Sequence, residues 1–157
     1  MKQLLVLGLV LLLFDGCRKE TGDVLPADKG LVGTWRLVNG PANYIITMDI
    51  APQIYITVLL PQPVFSLSGK GPVNTYGSAL NYEPKGPNAL PGQITVGPTT
   101  RGSKVGESAE AAQATEVYFR QLDAVYRYEL TSNGQLRLFY ATPYQLNVTP
   151  ALIYQRQ

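Results

Sequence analysis

The chain has 157 residues, 45% of them apolar and 15% charged, which suits one folded domain rather than a disordered segment. Its 13 basic and 11 acidic residues leave a net charge of +2 without a long basic run, which weighs against a nucleic-acid partner. Histidine is absent and cysteine occurs once, which excludes Ser-His-Asp and Cys-His catalysis, imidazole or thiolate zinc sites and an internal disulfide.

The N-terminus carries the strongest single signal. Lys2 precedes an unbroken apolar run, Leu4 to Phe14, of 11 residues, and Asp15-Gly16-Cys17 follows it. A membrane-spanning helix needs about 20 apolar residues, so a run this short predicts a secretory signal instead. Residues 1–16 resemble a bacterial lipoprotein signal, which implies cleavage before Cys17 and lipidation of that cysteine. The other reading is an ordinary secreted protein with one leftover thiol, a liability in an oxidising compartment. Residues 17–30 are charged, contain Pro26 and show no apolar periodicity, so they read as a tether. A coil of that length spans roughly 20 Å, and Arg18 and Lys19 could each add about 1 kcal/mol of attraction to anionic lipid.

From residue 31 to 157 the pattern is that of one domain. Glycine (15), proline (12) and tyrosine (10) are abundant, which favours a turn-rich β protein. Leu31, Gly33, Trp35 and Leu37 alternate with Val32, Thr34, Arg36 and Val38, which predicts a first strand with Trp35 facing the core. Residues 44–50 and 54–60 predict two further strands, joined by Ala51-Pro52-Gln53 as a hairpin connection. Short strands are expected at 64–68, 78–82 and 93–96. Residues 107–124 lack Gly and Pro and place Ala111, Ala114, Tyr118, Leu122 and Val125 at helical spacing, so one helix is expected there. Ser103 or Ser108 is its candidate cap, with Glu107 and Glu110 complementing the dipole. Tyr126, Tyr128 and Leu130, then Ser132-Asn133-Gly134, then Leu136, Leu138 and Tyr140 predict a hairpin with a tight turn. Residues 148–154 predict a last strand, with Pro150 marking it as an edge or bulge.

Several segments taken together resemble one family. They are Gly33-Thr34-Trp35-Arg36-Leu37-Val38, the stretch from Ser68 to Gly77, Thr99-Thr100-Arg101, the helix end Tyr118-Phe119-Arg120-Gln121-Leu122, Tyr126 to Leu130 and Gln135 to Leu138. In order and spacing they resemble the META domain of HslJ-type bacterial heat-shock lipoproteins, across about residues 31–156. The resemblance implies a mainly antiparallel β fold, barrel-like with one packed α-helix. It also implies a cell-envelope protein linked to stress or antibiotic tolerance, without catalysis or cofactor. Family members commonly carry Gly-Cys-Asn where this chain has Pro72-Val73-Asn74, and a second cysteine where it has Ser103-Lys104. The resemblance therefore implies that a disulfide, worth about 2 to 4 kcal/mol, is missing here. Residues 41–63 are longer and more apolar than the family's segment, which leaves the register of the second and third strands open.

The candidate sites are few. Gly69-Lys70-Gly71 is a plain turn, since it lacks the spacing of a phosphate-binding loop. Asp49 and Glu83 could pair as acid and base, but as solvated surface acids they need no function. Arg101 and Lys104 beside the helix start could meet an anion. Tyr126, Tyr128 and Tyr140 read as one face of a packed hairpin. Asn74-Thr75-Tyr76-Gly77 is expected to be a tight loop held by Asn and Gly, and the resemblance brings it close to the pre-helix segment, which makes Asn74, Tyr76, Arg101 and Lys104 a candidate interaction surface with Tyr76 as its aromatic face. Its alternative is residues repacking the place of the missing disulfide. No catalytic or metal-binding residue is expected.

The function expected on these grounds is a non-catalytic envelope lipoprotein, stress-related or structural, anchored in the outer membrane through Cys17 and facing the periplasm, with another envelope protein as its partner. Gly33-Thr34-Trp35 also resembles the Gly-x-Trp opening of lipocalins, which implies a carrier of a small lipophilic ligand as the alternative. An enzyme built on carboxylates or tyrosines has no motif behind it.

Overall fold

A computed structural model describes residues 30–53, 65–82, 92–102, 108–143 and 149–157. Cys17, Glu83, Ser103, Lys104, Glu107 and the strand expected at 54–60 lie outside them. The elements in chain order are β1 (Gly33–Leu37), β2 (Thr47–Pro52), β3 (Phe65–Lys70), β4 (Thr75–Tyr82), β5 (Ile94–Val96), β6 (Thr100–Arg101), α1 (Ala109–Asp123), β7 (Val125–Leu130), β8 (Gln135–Tyr140) and β9 (Ala151–Arg156).

The strands form one antiparallel sheet in the order β5-β4-β3-β2-β1-β9-β8-β7, with β6 also pairing β4. Along that order, neighbours in the sheet are neighbours in the chain except where β9 returns to β1, with Leu37 opposite Tyr154, and the short β6 lies off it beside β4. The two ends of the sheet then approach each other through a bridge between Gln93 and Arg127 and a hydrogen bond of 2.8 Å from the Tyr128 amide to the Gly92 carbonyl. The result is a nearly closed, barrel-like sheet with one helix, the mainly β architecture expected. Closure leaves little free edge for pairing with other chains.

Alternation puts the apolar side chains inside. Trp35, Met48, Ile50, Leu67, Leu80, Leu136, Leu138, Leu152 and Tyr154 are all buried and belong to one core. Burying each is worth about 1.5 to 3 kcal/mol relative to leaving it exposed. Trp35 is 1% exposed, as the first-strand pattern predicts. Its indole N–H donates to the Leu31 carbonyl at 2.9 Å, and the Arg156 guanidinium lies 4.9 Å from its ring centre. Arg156 also donates to the carbonyls of Gly30 at 2.7 Å and Val32 at 3.1 Å, binding the chain ahead of β1 to the last strand.

Helix α1 connects β6 to β7 and lies across the barrel mouth. Ser108 is its N-cap, accepting from the Ala111 amide at 3.2 Å, and Glu110 stands in the first turn. Ala111, Thr115, Tyr118, Phe119 and Leu122 form the buried stripe. Thr115 and Phe119 thus take places in the stripe, Ala114 lies at its margin, and Val125 already belongs to β7.

Five expectations change. Gly69 and Lys70 end β3 and are no turn. The last strand begins after Pro150 and pairs with both β1 and β8, so it is not an edge. Ala51 and Pro52 are no turn but the end of β2, paired with Ser66 and Phe65, because the β2–β3 register carries on through them. Thr75 to Gly77 is likewise strand: the turn lies at residues 71–74, closed by a Gly71 amide to Asn74 carbonyl bond of 2.7 Å. Tyr128 and Tyr140 share the inward face of the hairpin, but Tyr126 does not. A register shift between Val125 and Arg127 lets both Val125 and Tyr128 point inward, while Tyr126 stands exposed on the bulge. The Asn133-Gly134 hairpin forms as expected, with Gly134 at φ +76°, a conformation in which glycine meets no Cβ penalty.

Candidate functional site

The barrel mouth under α1 holds most of the residues singled out above. β4 and β6 pair with Tyr76 opposite Arg101 and Gly77 opposite Thr100, and the Gly102 amide donates to the Thr75 carbonyl at 2.9 Å. Residues 75–77 and 100–102 are therefore neighbours. Asn74 ends the adjoining turn, and its Nδ2 is buried without a hydrogen-bond partner among the described residues.

The surface expected from these residues is changed in one respect, because Tyr76 is only 5% exposed and offers no aromatic face to solvent. Strand alternation from Thr75 turns its ring inward, where it packs edge-on against Phe119 at 5.3 Å and Tyr118 at 5.9 Å. Arg101 is also committed. Its guanidinium sits 4.4 Å from the Phe119 ring centre, 2.9 Å from the Glu116 carboxylate and 3.9 Å from Asp123. The positive charge expected here is thus countered by two acids of α1. Asp49 lies on the outer face of β2, exposed to solvent.

What the mouth does contain is a chain of three buried phenols. The Tyr76 hydroxyl lies 3.1 Å from the Thr47 carbonyl and 2.9 Å from the Tyr118 hydroxyl, which is 3.1 Å from that of Tyr154. A carbonyl can only accept, so Tyr76 donates to Thr47, Tyr118 to Tyr76 and Tyr154 to Tyr118. Each hydroxyl proton is used once, and the chain joins β2, β4, α1 and β9. Burial pushes the three hydroxyls well above the ordinary tyrosine range, and neighbouring phenols add to the rise in each. At neutral pH they are uncharged hydrogen-bonding groups that hold the helix down.

Gly71 completes the seat. A Cβ there would lie 3.1 Å from the Phe119 ring, so a larger residue would press against that ring. Sequence patterning marks Tyr118 as a core position of the helix but gives no sign that its hydroxyl meets two others. That meeting depends on β9 lying beside β1 across the barrel. Between α1 and the β1–β2 connection a cleft of about 340 Å³ remains, lined by Leu37, Pro41, Ala114, Val117, Tyr140 and Leu152 among others. No helix among the described residues is long and apolar enough to cross a membrane. Comparison with protein-family models, curated proteins and solved structures finds no match to this chain.

Proposed function

We propose that this protein is a non-catalytic cell-envelope lipoprotein of the META type, anchored in the bacterial outer membrane through Cys17, facing the periplasm, and serving as a stress-related structural or interaction module. The observation that carries this reading is the filling of the barrel. Trp35, Met48, Leu67, Leu138 and Tyr154 occupy its interior, and Tyr118 and Phe119 of α1 are seated over its mouth. The three phenol hydroxyls at that mouth bond to one another and to the Thr47 carbonyl, which leaves the outside of the barrel for contacts with other molecules. The order of the segments from Gly33 to Leu138 and the signal ahead of Cys17 add the family and the location.

Complementation of a deletion strain under heat or antibiotic stress tests the reading. Wild type is expected to restore tolerance and Cys17→Ala to fail while folding normally. Full restoration by the unanchored variant would remove the anchor from the function.

The Gly33-Thr34-Trp35 opening and the cleft beside α1 favour a second reading, a lipocalin-like carrier of a small lipophilic ligand, against which stands the chain order, since three strands follow the helix where a lipocalin has one. Titration with an apolar fluorescent probe separates the two. Saturable binding at one site with energy transfer from Trp35 supports the carrier, and non-saturable partition supports the filled barrel.

A further inference from the structure

The outward residues of β7, β8, β9 and β1 differ from those on the rest of the barrel. Antiparallel register sets Glu129, Arg137 and Ile153 in one row, and the Val38 amide, bonded to the Ile153 carbonyl at 2.8 Å, extends it. Arg127 and Phe139 form the next row, with the guanidinium 4.0 Å from the ring centre, and Arg36 stands opposite Gln155 on the other side. This wall thus carries three arginines and one acid. On the opposite wall Asp49 of β2 and Lys70 of β3 balance, and Arg101 of β6 is paired with Glu116 and Asp123 of α1, which also carries Glu110 and Arg120.

Two details mark the wall as incomplete. Arg137 Nε is buried with no hydrogen-bond partner among the described residues, although a guanidinium N–H normally finds an acceptor. Val38 is 54% exposed in the middle of the positive charge. Beside it a cleft of about 470 Å³ is bounded by Arg36, Val38, Pro41, Tyr44 and Gln155, room enough for a phosphate-bearing headgroup.

We propose that this wall docks on the anionic surface of a lipid bilayer, with Arg36, Arg127 and Arg137 facing headgroup phosphates and Val38 and Ile153 at the headgroup boundary. The proposal rests on the anchored reading given above. Charge favours this occupant, since arginine forks match phosphate oxygens. Reach favours it too: Arg156 of β9 fixes Gly30 at the edge of this wall, and the 13 residues from Arg18 to Gly30 extend at most about 45 Å back to Cys17. A barrel held that close to a membrane presents one wall to it, and this is the wall with complementary charge.

The test uses the lipidated protein in vesicles of phosphatidylcholine with or without phosphatidylglycerol. An acylated Cys17 has no free thiol, so Ile153→Cys accepts one environment-sensitive dye, as does Ser68→Cys on the opposite wall. Headgroup spin labels are expected to quench the dye at position 153 and not at 68, and only where anionic lipid is present. Arg36→Gln with Arg137→Gln should weaken the interaction roughly tenfold or more. Lys70→Gln, a charge change on the other wall, should leave it unchanged. Equal quenching at both positions, or quenching indifferent to the two arginines in a variant with unchanged melting temperature, would overturn the proposal. A second dye on Cys17 would show that the anchor reading has failed. Flotation of wild type and the arginine variant with anionic vesicles then decides the wall separately: equal flotation overturns it and loss in the variant supports it.

Discussion

The Tyr118 hydroxyl of α1 lies 3.1 Å from that of Tyr154 on β9, 36 residues later in the chain. Through this contact and the Tyr76 hydroxyl on the other side, the helix is bonded to two strands that are not adjacent in the sheet. Replacing Tyr118 by Phe keeps the ring and removes the central link. Tyr76 then loses a donor and Tyr154 loses its acceptor, so urea unfolding should show a loss of about 1 to 3 kcal/mol. A change within about 0.3 kcal/mol would mean that the three phenols do not act as a chain.

The same chain predicts sensitivity to alkali. Burial holds the folded-state pKa values of Tyr76, Tyr118 and Tyr154 above those of the unfolded chain, so the folded state retains protons that the unfolded state gives up. The stabilisation is fully present below about pH 10, the unfolded tyrosine value, and is lost as pH rises beyond it. Each phenol steepens the loss by up to about 1.4 kcal/mol per pH unit. Urea midpoints measured across that range should fall more steeply for wild type than for Tyr118→Phe, and parallel curves would contradict the assignment.

Trp35 should be the costliest single truncation in the described core. Its ring is enclosed, its N–H is bonded to Leu31 and its face carries Arg156. Trp35→Ala should cost about 3 to 5 kcal/mol in urea unfolding. A loss under about 1 kcal/mol would place the side chain outside the core.

Arg101 should matter far less than its contacts suggest. Its side chain is 28% exposed and Glu116 is 57% exposed, so water screens the pair. Arg101→Ala should change stability by no more than about 1 kcal/mol. Added salt should shrink even that difference, and a loss of several kcal/mol by thermal or urea unfolding would show that stacking on Phe119 dominates.

Period-two alternation was enough to place Trp35 inside, and Asn133-Gly134 was enough to locate a hairpin, because both signals are local. Ser108 and the apolar stripe likewise announce α1. Tyr76 is not legible locally because its neighbours Asn74, Gly77 and Ser78 suggest a loop, whereas pairing with both β3 and β6 makes the segment a strand and turns the ring inward. The bulge at Tyr126 inverts the expected alternation for a similar reason: one extra residue changes the facing without changing composition. The phenol chain and the arginine-bearing wall arise from β9 pairing with β1, a long-range register that no short pattern encodes.

Lipid labelling at Cys17 tests the central claim of an anchored envelope protein most directly. Cells expressing wild type or Cys17→Ala are grown with a labelled fatty acid, and the mature protein is analysed by mass spectrometry. The anchored account predicts label on wild type alone and a mature N-terminus at Cys17, with residues 1–16 removed. Equal labelling of both proteins, or mature wild type that still begins at Met1, would contradict it.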